Sequence, residues 1–345
     1  GCDLGLASCT CCQAGFGKSG ARFIVSTIFA VNMIGWFGIQ NGVCGEAFSN
    51  AMLAMTGWDI PVVVSNTIWG IIMLLTAVYG VHALEKLDKI SIPLLMIIMC
   101  YGTFLAFKVY GTGNLNDEGT VQSMSFMSGV ALSFNFTAVG TITGPDYTRF
   151  QKSRKDTVKS VFYGVFPMGV ITLIMGIVLT KLSGQYDISM VLIEVGLPLL
   201  GIIALVISTW TTNSTNAYSA GLNIVMALKL KDNRRREATL ISGIVGIVLC
   251  DLGILGHIEG VLSLLSYVVC PVGGVILADY WVVGKGKAKN FRPQDGVNWA
   301  GVIAWALGAI ISYTLVKIEF VGIIIGFVIY LIAERFIPSA SRDNA

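Results

Sequence analysis

Charge is what this sequence has least of. Among 345 residues there are 23 Lys and Arg and 20 Asp and Glu, 12% in all, about half of what a soluble domain carries. That scarcity excludes an ordinary water-soluble fold. The net charge of +3 is too small and too scattered to serve as a nucleic-acid footprint. Histidine is scarcer still, with only His82 and His257. They fall at the edges of apolar runs on opposite sides of any membrane drawn through the chain. A metal centre or a nucleophile–base pair has little to be built from, and neither HExxH nor GxSxG occurs. An enzyme is not expected, and no cofactor beyond a coupling ion. The cysteines do not change this. The run CTCC at 9–12 has no histidine beside it, and Cys100, Cys250 and Cys270 sit in apolar runs, where thiols act as small hydrophobes. Linkers and low-complexity segments are missing too, so residues 1–345 read as one transmembrane transporter domain.

What is present is oil. Hydrophobic residues make up 54% and the mean hydropathy is +0.75. Apolar runs long enough to cross a bilayer, about 20 residues, recur along the whole chain. They are continuous rather than alternating, so they predict helices and not barrel strands. Ten spans are expected, near 23–47, 61–82, 91–110, 124–144, 160–182, 193–216, 238–254, 260–281, 298–316 and 320–337. Of the 23 basic residues, all but Lys108, Lys181 and Lys317 fall in one alternate set of loops. The positive-inside rule then places both ends in the cytoplasm and the loop NLNDEG (114–119) outside. The expected location is the cytoplasmic membrane. The chain begins with Gly and its first twenty residues resemble the tail of a helix followed by a loop, so a preceding segment is expected in the natural protein.

Polar residues at membrane depth are the next signal. The stretch STWTTNSTNAYSAGLN (208–223) crowds Ser, Thr and Asn into an apolar span. Ser208, Thr211, Thr212 and Thr215 follow i, i+3, i+4, i+7 spacing and form a hydroxyl stripe. Asn213 and Asn216 lie about 100° further round. Hydroxyl and carbonyl oxygens suit a hard cation such as Na⁺, and amides suit the edge of a flat heterocycle. The bland alternative is that small polar residues glue helices together. The first span carries Asn32, Trp36 and Gln40 at i, i+4, i+8, an aromatic face flanked by amides. Glu46 lies further out on the same helix and is expected at the interface. In the fourth span Ser133, Asn135 and Thr137 alternate with Phe134 and Phe136, and Gly129, Gly140, Gly144 and Pro145 weaken the helix, which raises the expectation of a break. Asp146 and Arg149, at i, i+3, predict an interfacial ion pair. In the eighth, Pro271, Gly273 and Gly274 predict a bend that serves as a gate or a packing kink.

Four motifs together, GWFGIQ (35–40), PDYTRF (145–150), WTTNSTNAYSAGL (210–222) and PVGGVILADY (271–280), resemble the nucleobase:cation symporter-1 family and within it the cytosine permeases. The resemblance runs along nearly the whole chain. It implies an all-α polytopic membrane protein of LeuT-like fold, with two inverted five-helix repeats inside twelve helices, of which the spans here are the third to the twelfth. It also implies a substrate site between helices 1, 3, 6 and 8. Carried over, Trp36 is similar to the stacking residue, Phe136 to the second aromatic plate with Phe134 as its alternative, and Asn213 and Asn216 to the edge-reading amides. Gln40 matches the amide that follows the Trp in hydantoin-type members. In cytosine permeases an amide stands three positions before the Trp; here Met33 holds that place, with Asn32 beside it. Thr211 and Thr212, with the Ser208 carbonyl, resemble the sodium ligands, and a preceding helix would supply the rest of the cage.

The function expected from all this is import of a nucleobase, cytosine first, coupled to Na⁺ or H⁺, by alternating access. Permeases for hydantoin, allantoin, uracil or a thiamine-precursor pyrimidine are the alternatives. The expected partners are the small-molecule base and the lipid bilayer, with no nucleic acid and a monomeric state. A channel fits less well, because amides beside aromatics hold an organic solute.

Overall fold

Each apolar run closes its own backbone hydrogen bonds, as a segment in hydrocarbon must. The computed structural model describes residues 1–116, 125–185 and 187–337, with the backbone alone at Val81, His82 and Asp232. Residues 117–119 of the expected outer loop, the start of the fourth span at 124, the side chain of His82, the basic Arg342 and the end of the domain after 337 lie outside the described residues. Among those described there is helix and no strand.

The helices are α1, Gln13–Thr56; α2, Val62–Tyr79; α3, Val81–Tyr110; α4, Phe126–Ile142; α5, Arg154–Ser183; α6, Pro198–Ala227; α7, Arg235–Asp251; α8, Ile258–Leu277; α9, Trp299–Ile311; and α10, Val321–Phe336. Seven stretches among the described residues are long and apolar enough to cross a membrane: those of α1 to α5, α8 and α9. The other three expected spans fall on α6, whose centre is diluted by Ser, Thr and Asn, and on α7 and α10, of 17 and 16 residues.

Three local expectations change. The first twenty residues are not a helix tail and a loop. A turn at Ser8–Cys11 leads into a helix from Gln13 that continues as α1. Gly17 kinks it at φ 76°. A Cβ there would stand 2.5 Å from the Gly296 carbonyl and 2.7 Å from the Asn298 amide, so only glycine fits. The groups freed by the kink pair with the loop at 294–298: Lys18 N donates to Gln294 O and Asn298 N to Phe16 O. Secondly, α4 is unbroken from Phe126 to Ile142. Glycine alone costs a helix only about 1 kcal/mol, and the turn comes at Thr143 and Gly144, just ahead of Pro145. Thirdly, Asp146 and Arg149 form no ion pair. Asp146 accepts from the Ser8 amide at 2.7 Å, while Arg149 lies 4.6 Å from the Phe150 ring centroid.

Helices α1, α2, α6 and α7 pack on one another, and α8, α9 and α10 form a second group that α4 joins. Small residues let the backbones approach: Gly38 of α1 meets the Gly246 carbonyl of α7, and Gly221 of α6 meets Thr239 of α7. Helix α5 stays peripheral, with Phe162, Tyr163, Phe166 and Ile174 exposed. Helix α1 touches both groups.

Candidate functional site

The two expected aromatic plates come together. Trp36 of α1 and Phe136 of α4 have ring centroids 5.6 Å apart, tilted by 58°. Phe134, on the other side of the same α4 stretch, packs instead on Phe320, at 5.5 Å. Phe136 is therefore the partner of Trp36 and Phe134 a wall residue. A planar ring held between Trp36 and Phe136 requires the plates to part.

The helices that carry this pair, and α8 beside them, hold buried polar atoms without partners. Asn32, one turn before Trp36, is 1% exposed. Its Nδ2 donates to the Ile28 carbonyl at 2.9 Å, and its Oδ1 has no donor. Asn135 Oδ1 on α4 and Ser266 Oγ on α8 are buried and unpartnered as well. Helices α1, α4 and α8 meet here: Gly35 lies against Leu265, and Gly273 against Ile142. A buried polar atom left unsatisfied costs about 1–3 kcal/mol, so each of the three is a candidate for a hydrogen bond to a bound solute. Asn135 was visible in the sequence as a polar residue at mid-depth. Ser266 lies in an apolar run with nothing to single it out.

Helix α6 divides its polar residues between two faces. Asn213 is fully buried; its Nδ2 donates to the Phe37 carbonyl of α1 at 3.1 Å and lies 3.5 Å from the Met73 sulfur of α2. Ser214 donates to the Met73 carbonyl, and the Trp210 indole to Thr76 at 2.9 Å. This face fastens α6 to α1 and α2. Asn216, half-buried, reaches only Asn213 Oδ1, at 3.5 Å. On the other face the Thr211 and Thr212 hydroxyls both donate to the Ser208 carbonyl, at 3.0 and 3.1 Å. Ser208, Thr211 and Thr215 are half-buried and Thr212 exposed. Three oxygens of the kind a hard cation prefers thus lie on one turn.

A cavity of about 1150 Å³ opens beside that turn. It takes in Ser208 and Thr209 of α6, Gln40 and Glu46 of α1, Asn66 of α2 and Asp251 of α7. Gln40 therefore faces this cavity, while Trp36 and Phe136 are not part of its wall. Glu46 is exposed to the cavity, as an acid at that level requires. The CTCC cysteines point inward: Cys9, Cys11 and Cys12 are buried, and the Cys9 thiol donates to Asn223 Oδ1 at 2.8 Å. Burial pushes the Cys9 thiol up to about 12.

A family model described as a permease for cytosine/purines, uracil, thiamine and allantoin matches residues 1–334. The cytosine permease of Escherichia coli (strain K12) is 31% identical over 332 residues, covering 94% of this chain and 76% of the relative. The allantoin permease of Bacillus subtilis (strain 168) is 25% identical over 395 residues, covering 99% and 80%. The structure of Mhp1, a nucleobase-cation-symport-1 family transporter in a closed conformation with bromovinylhydantoin bound, superposes with a TM-score of 0.77. Its identity is 19%, over 97% of this chain and 80% of Mhp1, a likeness of fold.

Proposed function

The chain belongs to the family of permeases for cytosine/purines, uracil, thiamine and allantoin, and from that premise we propose that it imports cytosine in symport with a cation. It is a multi-pass membrane protein and a transporter of the nucleobase type, not an enzyme. The finer reading rests on one observation: the Trp36–Phe136 pair flanked by the orphaned oxygen of Asn32. Cytosine has two flat faces, N–H donors at N1 and at the exocyclic amino group, and acceptors at O2 and N3. Aromatic plates take the faces, at about 1–3 kcal/mol per base, and Asn32 Oδ1 and Asn135 Oδ1 are acceptors for its N–H groups.

The proposed cation is Na⁺, held on one side by the Ser208 carbonyl and the Thr211 and Thr212 hydroxyls, with H⁺ as the alternative. A ligand shifts a conformational equilibrium only by its differential affinity for the two states. Coupling needs the ion and base sites to share an element. Helix α6 carries the ion oxygens on one face and, through Asn213, grips α1 one residue beyond Trp36. The cation thereby stiffens the helix that presents the stacking ring. In this reading the protein is monomeric, its ten spans are the third to twelfth helices of a twelve-helix plan, and the basic loops face the cytoplasm.

The test is equilibrium binding of radiolabelled cytosine to purified protein. Trp36→Ala weakens it roughly 5- to 150-fold, while allantoin, hydantoin and uracil compete poorly. Unchanged affinity in Trp36→Ala removes the ring from the site, and better binding of a competitor moves the assignment to that compound.

A further inference from the structure

Away from the aromatic pair, the richest polar cluster joins three segments far apart in the chain. Arg154 opens α5. Its Nε stands 2.8 Å from both carboxylate oxygens of Asp3, and its Nη2 2.6 Å from Asp3 Oδ2. The same Nη2 donates to the Tyr280 hydroxyl at 3.2 Å and to the Gly286 carbonyl. Tyr280 donates to Asp3 in turn, and the guanidinium lies 5.1 Å from the Trp281 ring centroid. Only a planar fork of several donors makes these contacts together; a lysine ammonium cannot. The hydrogen bond from Arg154 lowers the Asp3 carboxyl to about 2, so the pair stays charged at any working pH.

An exposed ion pair adds little to stability, and this one is half-exposed on the arginine side. Its position is what matters. It sits at the end of the bundle where the basic loops gather, beneath the convergence of α1, α4 and α8. Tyr280 follows α8, and Asp3 precedes α1. Ser8, five residues on from Asp3, donates through its amide to Asp146 and through its hydroxyl to the Thr143 carbonyl, just past α4. All three helices around the Trp36–Phe136 pair are thus tied together at this end. A cavity of about 320 Å³ is walled by Asp3, Arg154, Tyr280 and Trp281 of the cluster, with Cys11 in the same wall.

We infer that Arg154 is a positioning residue of the transport cycle: it holds the ends of α1, α5 and α8 together and keeps the mouth on the basic-loop side closed. The inference rests on the transport reading above. Solute released on that side passes between α1, α4 and α8, and their ends separate only when the Arg154 contacts break. The clamp therefore sets how often the mouth opens.

Cys11 is a native reporter. It is 9% exposed, and burial raises its thiol above the ordinary range, so the closed mouth protects it. The experiment is maleimide labelling of the protein in membranes, with each cysteine quantified by peptide mass spectrometry. Arg154→Ala labels Cys11 at least about fivefold faster than wild type, while Cys44 and Cys250, buried elsewhere, keep their rates. Arg154→Lys falls between, and the exchange Asp3→Arg with Arg154→Asp recovers part of the protection. Unchanged Cys11 labelling in Arg154→Ala overturns the inference. So does an equal rise at Cys11, Cys44 and Cys250, because that outcome makes the cluster a fold element only. No substrate enters this readout. Selective Cys11 labelling in a protein that binds no cytosine would sink the cytosine assignment and leave the clamp standing.

Discussion

Thr212 and Asn213 are neighbours in the chain with different surroundings, and substitution separates them. Asn213 is sealed between α1 and α2, where its amide answers the Phe37 carbonyl. Asn213→Ala leaves a buried acceptor with one donor fewer and costs about 1–3 kcal/mol of stability, read as a lower melting temperature in detergent. Thr212 is exposed and bonds only within its own helix. Thr212→Ala leaves melting unchanged and weakens the sodium dependence of cytosine binding; full dependence in that variant would move the cation elsewhere. The ordered residues before α1 add a pH test. Asp3 has its carboxyl depressed to about 2 from 3.8, so the clamp it makes is present above about pH 4 and lost as pH falls toward 2. Protection of Cys11 from a dithiodipyridine probe, which still reacts with thiols in acid, is expected to be flat from pH 5 to 8 and to be lost only as pH falls toward 2. The sequence showed which residues were polar at depth, but not which way each turned. A rotation of 100° per residue puts Thr212 and Asn213 on different faces, and neighbouring helices decide which face is sealed.

At the scale of elements, α8 shows how a helix interior tolerates proline. Pro271 removes one backbone donor and would cost an isolated helix about 3 kcal/mol. Here it nests among glycines of the last two helices. Side chains at Gly308 and Gly322 would stand 2.9 and 3.1 Å from its ring, and one at Gly326 would stand 2.8 Å from its carbonyl. Beside this socket the Trp305 indole donates to the Val268 carbonyl at 2.9 Å, and Ser263 donates to the buried Glu319. Gly326→Val overfills the socket and is expected to cost about 1–3 kcal/mol, checked by thermal unfolding; a variant as stable as wild type would show that α8 is held by other contacts. The spans themselves were legible, because an unbroken apolar run has one solution in lipid. Their ends were less so. Helix α1 reaches back to Gln13, since the kink at Gly17 is satisfied by residues 294–298, a partner that no local pattern reveals. The break expected in α4 falls at its end, at Thr143 and Gly144 ahead of Pro145, and not at Gly129 or Gly140, which have no proline beside them.

For the whole molecule, the arrangement is a closed aromatic pair on α1 and α4 with an amide beside it, an oxygen-bearing turn on α6, and ties at the end where the basic loops gather. The family was legible in four short motifs, of which three fall on α1, α6 and α8 and the fourth, PDYTRF, follows α4. Two helix groups meet along α1, and in the proposed function one group rocks against the other with the proposed ligands on α1 and α6. Which base and which ion are carried depends on sub-ångström fit and on groups from both sides of the site, so composition and spacing do not reach them. Uptake of radiolabelled cytosine into proteoliposomes, with and without an inward sodium gradient, tests the account most directly. The gradient is expected to accelerate cytosine accumulation, Trp36→Ala to slow it in line with its weakened binding, and Thr212→Ala to retain slow uptake that no longer responds to sodium. Cytosine uptake of equal rate in Trp36→Ala and wild type would contradict the account.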